Sequence, residues 1–331
     1  MITYKKLFSI LGLLILILLA AFSLGLGLGS VRVPVLKGLL GAGLDSTSRA
    51  ILWELRLPRV ILAGIVGWSL STGGVVFQAL MRNPLAEPFL LGVSSGAAVG
   101  AVAGILFGVM FWGGIPVMAF LGALITISLV LALAQRARAI DPNTLILTGV
   151  IINAFFAALI MFALATASGD KLHSLLFWLY GDLSRGSFID LWVMIPVVLA
   201  GSVFLYGMAR SFNLIASGEE VAAQLGVDVE RAKWLSLIVV SLMCGVTVAF
   251  SGIIGFVGLL VPHLVRMAFG PDHRLLLPAS GLFGASFLIG ADLLARTVIS
   301  PSELPVGVVT AFLGAPFFLY LLYLRRRPWT L

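Results

Sequence analysis

Charge is scarce in this chain. Only 11% of its 331 residues are charged, while 60% are apolar and the mean hydropathy is +1.14. Those values exclude a water-soluble globular domain and fit a polytopic membrane protein. Cysteine is nearly absent as well. The one thiol, Cys244, lies inside an apolar run, so no intrachain disulfide can form and it reads as a small core residue. The three histidines, His173, His263 and His273, stand in separate segments. A metal site needs three or four convergent ligands, so no metal is expected. No Gly-x-x-x-x-Gly-Lys-Ser/Thr run occurs either; the five lysines at 5, 6, 37, 171 and 233 follow no such loop. The chain therefore cannot cradle ATP phosphates in the P-loop manner, and neither a catalytic site nor a cofactor of its own is expected.

What is present is a series of long apolar stretches. Candidate spans are Leu7–Leu28, Pro58–Leu80, Phe89–Val109, Ile115–Ala134, Asn143–Ala165, Ile189–Ala209, Ala232–Phe250, Ile253–Met267, Leu275–Ala295 and Pro305–Leu324. Nine are close to the roughly 20 residues that cross a bilayer core. The eighth has 15 residues, a helical rise of about 22 Å, which suits a re-entrant segment or a short crossing buried in protein. Parity favours a crossing. Lys5-Lys6 and Arg325-Arg326-Arg327 both mark a cytoplasmic end, and two cytoplasmic termini require an even number of spans. The first stretch has 22 residues, longer than the roughly 7–15 of a signal-peptide core, and reads as an uncleaved span. The fold expected is all-α, about ten transmembrane helices in a single domain over residues 1–331.

With that topology thirteen of the 21 basic residues lie on the cytoplasmic side and eight outside, five of them (Arg32, Lys37, Arg49, Arg56 and Arg59) near one outer loop. This breach of the positive-inside pattern makes that loop anomalous; the net charge of +7 need not mean nucleic acid, since Lys and Arg in a membrane chain mark cytoplasmic loops. Lys171–Arg185 is too short to span and reads as an outer half-helix with interfacial aromatics. Gly92, Gly96, Gly100, Gly104 and Gly108 form an i+4 ridge that serves helix packing. In the cytoplasmic stretch Ser217–Gly226, Ser217 and Glu220 have the spacing of a capping box, Gly226 suits a left-handed terminator, and Asp228 suits the cap of the next segment.

Between the second and third spans lies Arg82-Asn83-Pro84-Leu85-Ala86-Glu87-Pro88, preceded by Gly64, Gly67, Leu70, Gly74 and Gln78 and followed by Leu91-Gly92. Each proline pushes the residue before it out of the α region, so this is a true break. Further on come Gly252–Gly258 leading into Pro262-His263 and Arg266, then Asp272-His273-Arg274, Asp292 with Arg296, Glu303-Leu304-Pro305 and Gly314-Ala315-Pro316, with Arg56-Leu57-Pro58-Arg59 upstream. From about Glu54 to Leu322 this ordered set resembles FecCD-type permeases, the membrane subunits of ABC importers for iron-siderophore complexes, haem and cobalamin.

The resemblance implies the cobalamin/iron-chelate importer permease fold and a homodimer in the bacterial or archaeal (inner) membrane. It implies two separate ATPases that hold ATP and Mg, and a periplasmic or lipid-anchored binding protein. By the same resemblance the ATPases dock on Ser217, Gly218, Glu219, Glu220, Val221, Ala222, Ala223, Gln224, Leu225 and Gly226. Arg56, Arg59 and Arg296 grip the binding protein, as suits a guanidinium fork facing carboxylates; Arg296 also stands four residues after Asp292 and could simply pair with it. Arg82, Asn83, Pro84, Pro262, His263 and Arg266 are structural motif residues, His263 orienting the short helix end near Arg266. Asn143, Thr144 and Asn153 are candidates for the path or its inner gate, and a helix–helix hydrogen bond explains Asn153 equally well. The rival class, an ion-gradient-driven secondary transporter, predicts mid-membrane carboxylates and paired broken helices; Asp292, near an outer end, is the only carboxylate well within a span.

Overall fold

A computed structural model describes residues 4–29, 31, 45–109, 111, 113–135 and 142–324. Arg32, Lys37, Arg136, Arg138 and Arg325–Arg327, used above for topology, lie outside the described residues, as does the Asn143 side chain. The described elements are all helical: α1 (Tyr4–Gly27), α2 (Ser46–Ala50), α3 (Leu57–Leu80), α4 (Val93–Leu106), α5 (Gly114–Gln135), α6 (Pro142–Thr166) and α7 (Asp170–Leu179), followed by α8 (Phe188–Gly207), α9 (Ala209–Ser217), α10 (Glu219–Gln224), α11 (Val229–Ser251), α12 (Val257–Phe269), α13 (His273–Ala295) and α14 (Val306–Leu324). Among the described residues seven helices are long and apolar enough to cross a membrane, and α4, α12 and α14 are shorter apolar helices. Together they match the ten expected spans, and α7 matches the expected half-helix.

The core is built around α3, which is buried along most of its length between α13, α11, α12 and α8. Lipid tails are as apolar as leucine, so helices in a membrane associate by close packing rather than by escape from solvent. Glycine makes that packing possible here. A Cβ on Gly67 would stand 2.2 Å from the Gly284 carbonyl oxygen of α13, and one on Gly74 would stand 1.8 Å from that of Gly258 in α12. The α4 ridge works the same way at Gly96 and Gly100, which abut α5 at Thr126 and Met118. Gly92, at φ +78, also lies against Thr126, whereas Gly108, at φ +67, meets nothing within 4 Å and only ends α4.

Two expected spans are shorter than drawn. The third does not begin at Phe89. Pro88–Leu91 forms a 3-10 turn and Gly92, at φ +78, starts α4, leaving 14 helical residues. The eighth crosses as a 13-residue helix whose N-cap, Phe256, has φ +68. A rise of about 20 Å would leave backbone bare in lipid, but α12 packs on α3 and α13, and seven of its 13 residues are buried.

The close approaches predict that Gly74→Ala costs on the order of 3 kcal/mol through forced separation of α3 and α12. Gly12→Ala, where a Cβ meets nothing within 4 Å, should leave the thermal unfolding midpoint in detergent unchanged or slightly raised.

Candidate functional site

Three polar regions carry the candidate residues. At one end, a π-helical stretch, Ile51–Arg56, runs without a break from α2 into α3, with Pro58 in the first turn of α3; this places Arg56 and Arg59 over the end of α13. Arg56 is 6% exposed and donates to the carbonyls of Leu26, 2.9 Å away, and of Val31. Arg59 makes ion pairs of 2.9 Å to Asp292 and 2.7 Å to Glu303. Arg296 stands 3.4 Å from the second Asp292 oxygen and donates to the Gly25 carbonyl. Asp292 is 1% exposed, so a single buried carboxylate holds two guanidinium groups. The three arginines and Glu303 line one cavity of about 420 Å³ together with Ser184. Arg296 thus pairs with Asp292, and it lines the same cavity as Arg56 and Arg59. Three cations against Asp292 and Glu303 leave the cavity with one net positive charge, and its side chains are largely turned inward onto the protein's own acceptors.

At the opposite end, the hinge after α3 closes as a Schellman turn. Arg82 takes φ +47, its N–H bonds the Ala79 carbonyl, and the Asn83 N–H reaches the Gln78 carbonyl at 3.2 Å. Asn83 Oδ1 then accepts from the Leu85 N–H at 2.9 Å, and the chain folds back so that Pro88 contacts Gly73 and Gly258. The two motifs noted in the sequence meet here: Arg266 donates to Gln78 Oε1 at 2.8 Å, and Gln78, fully buried, donates to the Leu259 carbonyl at 3.4 Å. His263 is buried with its ring against Phe318 of α14, centroids 5.8 Å apart. That contact joins α12 to α14.

The segment between α8 and α11 differs from the capping-box expectation. Ser217 is the last residue of α9 and donates to the Asn213 carbonyl at 3.1 Å; Gly218, at φ +138, is the N-cap of α10 without a side-chain bond. The extended glycine breaks the chain between two short helices, so the serine hydroxyl faces backward and cannot reach the α10 amides. Bracing comes from elsewhere: Glu219 pairs at 2.6 Å with Lys233 of α11, which is 4% exposed. Gly226 has φ +84, and Asp228 caps α11 by accepting from the Arg231 N–H at 3.0 Å, as their residue types suggested. Val221 and Leu225, 45% and 60% exposed, project an apolar surface from this braced segment. Nearby, burial alone would raise the Asp272 carboxyl, but hydrogen bonds from the Asn213 amide and the Arg274 N–H hold it below the ordinary carboxylate range.

Asn153 of α6 faces protein. Its Oδ1 accepts from Ser95 of α4 at 2.5 Å and its amide donates to the Phe89 carbonyl at 3.4 Å, so the hydrogen-bond reading describes it. Thr144 lies at the start of α6, on the side of the α3 hinge. The remaining face of α6 exposes Leu147, Ile151, Phe155 and Phe162, and α14 exposes Phe312, Leu319 and Tyr320. Sequence reading missed the Glu219–Lys233 brace, because residues 14 apart across a helix break share no periodicity. It also missed Phe256, whose positive φ has no signal in its residue type. The neighbouring glycines were the available hint.

A buried carboxylate shared by two arginines makes a clear stability prediction. Asp292→Asn should cost about 3–5 kcal/mol by stranding buried cations, whereas Glu303→Gln, on a carboxylate 38% exposed, should cost under about 1 kcal/mol. Thermal unfolding of the detergent-solubilised protein measures both.

Comparison with known proteins points one way. Residues 14–324 match the model of the FecCD transport family. A cobalamin import system permease, BtuC of Halobacterium salinarum, is 46% identical over 85% of this chain and 75% of its own length. A hemin transport system permease, HmuU of Yersinia pestis, is 38% identical over 91% of this chain and 92% of its own. Among solved structures, an inward-facing ABC transporter assigned to the metal-chelate type superposes with a TM-score of 0.86 at 33% identity, covering 95% of this chain and 99% of that one.

Proposed function

The chain belongs to the FecCD transport family, and from that premise we propose that it is the multi-pass permease of an ATP-driven importer for metal chelates of the cobalamin, haem or ferric-siderophore class. The observation that carries the reading is the pairing of that family match with a braced, apolar projection at one end and an arginine-lined cavity at the other. Both termini lie in the cytoplasm, in the inner membrane where the envelope has two. The whole chain, residues 1–331, acts as one permease domain.

Two ATPases, which hold ATP and Mg, dock on residues 217–226. Val221 and Leu225 supply the apolar contact, and the Glu219–Lys233 pair passes force from that contact to α11. A braced helix moves as a body, whereas an unsupported six-residue helix would fray. A substrate-binding protein docks over the cavity of Arg56, Arg59 and Arg296, where a carboxylate competes with Glu303 for Arg59. A second copy packs against the exposed faces of α6 and α14, and the path runs between protomers with Asn143 and Thr144 toward its cytoplasmic end. Asn153 positions α6 against α4 rather than touching cargo. ATP-driven closure rocks these helices between outward- and inward-open states, and direction follows from the differential affinity of each partner for each state.

Reconstitution in liposomes with the ATPase and binding protein tests the reading. Uptake of cobalamin, haem or a ferric siderophore that requires ATP and the binding protein is the expected result. Uptake that ignores ATP and follows an imposed proton or sodium gradient would establish a secondary transporter instead. Within that system Val221→Asp combined with Leu225→Asp should cut ATPase co-purification by about tenfold or more, a loss of at least ~1.4 kcal/mol. Glu303→Gln should tighten binding-protein docking by freeing Arg59; weaker docking would remove Arg59 from the docking surface.

A further inference from the structure

A second polar cavity, about 550 Å³, opens at the end of the molecule that carries α9 and α10. Lys6 of α1, Arg266 of α12, Asn213 of α9 and the N-terminal end of α13 form its walls. Its groups are mostly donors. Lys6 is exposed, and Arg266 gives one N–H to Gln78 but takes part in none of the ion pairs among the described residues. The 23-residue helix α13 adds the positive end of its dipole. Asp272 is the one acid among the lining residues, and it is already engaged by the Asn213 amide at 2.9 Å and the Arg274 N–H at 3.0 Å.

His273 supplies an independent indication of a ligand. It is 4% exposed and lines the cavity. Asn213 Oδ1 lies 2.9 Å from its backbone nitrogen and 2.7 Å from Nδ1. Because the Asn213 amide nitrogen is turned to Asp272, the oxygen faces the ring, and Nδ1 must carry the proton. In the neutral ring Nε2 is then an acceptor, buried and without a hydrogen-bond partner among the described residues. A buried acceptor of that kind calls for a donor. The cavity thus asks for an anion beside a hydroxyl or an ammonium.

An apolar groove begins one turn along α13 from His273. Leu11, Leu277, Pro278, Trp68 and Leu199 line its first part, about 320 Å³; Trp68 and Leu199 also line the second, about 490 Å³, which ends at Phe22. From Leu11 to Phe22 the helix rises about 16 Å, the depth of one leaflet's hydrocarbon. Helix α1 beside it is otherwise mostly exposed.

We propose that a phospholipid of the adjoining leaflet is a specific ligand of this site. Its phosphate diester sits between Lys6 and Arg266 at the start of α13, a headgroup hydroxyl or ammonium donates to His273 Nε2 after a small shift of the cavity wall that covers that atom, and one acyl chain follows the groove past Trp68. Since Asn213 and Ser217 also wall the cavity, an occupied site stiffens α9 at the joint with α10. Membrane embedding is the only part of the preceding functional reading that this requires.

The test uses the permease assembled with its ATPase, delipidated in detergent and offered phosphatidylglycerol, phosphatidylethanolamine or phosphatidylcholine of equal chain length, and separately inorganic phosphate. Native mass spectrometry should find one phosphatidylglycerol or phosphatidylethanolamine per protomer, retained at least tenfold better than phosphatidylcholine, which has no headgroup donor. Lys6→Gln and Arg266→Gln should each lower retention, His273→Phe should abolish the preference over phosphatidylcholine, and Leu199→Trp should block the groove. Lys6 lies on an exposed helix end, so its variant keeps the test valid if Arg266→Gln does not fold. Equal retention of all three lipids would overturn the proposal. So would a rise in unfolding temperature with inorganic phosphate equal to that with lipid, which would indicate a soluble anion. Lipid that binds the permease alone but is excluded from the assembled transporter would assign the cavity to the ATPase instead.

Discussion

Where α3 crosses α13 at Gly67 and α12 at Gly74, backbone meets backbone with no room for a single methyl group. In lipid such contacts supply the dispersion energy that solvent exclusion supplies in water. They also fix position along the helix axis, because a glycine notch accepts the opposing carbonyl at one place only. Both polar ends of the molecule inherit their alignment from these two notches. Arg59 stands over Asp292 because α3 and α13 cannot slide. Gln78 meets Arg266 because α3 and α12 cannot slide either.

This gives α3 an unusual role for one helix. Its first turn holds the arginine cavity, and its last turn leads into the Schellman turn at Arg82 and the chain reversal that returns Pro88 to Gly73 and Gly258. A load applied at one end reaches the other through a helix that is buried along most of its length and locked at two points. Packed elements of this kind shift as bodies rather than bend. By contrast α1 and α6 are largely exposed and have room to change partners. The division into a locked centre and free outer helices is what an alternating-access permease needs.

Buried polarity follows the same economy. Asp292, Arg59 and Arg296 are sustained in a low-dielectric setting only because each charge has a partner or a carbonyl. Asn153, which the sequence left open between path and packing, is used for packing: its two hydrogen bonds tie α6 to α4 and to the turn before it. The same logic explains the departure at Ser217. With glycine at 218 in an extended conformation, a serine cap has no geometry to act through, and the buried Lys233 takes over the bracing.

The sequence by itself determined the class, the number of crossings and the location of the breaks. Hydrophobic length, proline and glycine act locally, through bilayer thickness and backbone sterics, and can be read without a partner. The resemblance to the FecCD family, carried by motif residues, also marked Arg56, Arg59 and Arg296 as one group. Tertiary structure alone decided how those charges are held, that Asn153 faces protein, that α10 is braced by Lys233 rather than by Ser217, and that Lys6, Arg266 and His273 share a cavity. Each of these depends on residues far apart in the chain meeting at a fixed distance. Such distances are set by helix crossings at a few glycines, and no local pattern encodes which glycine meets which.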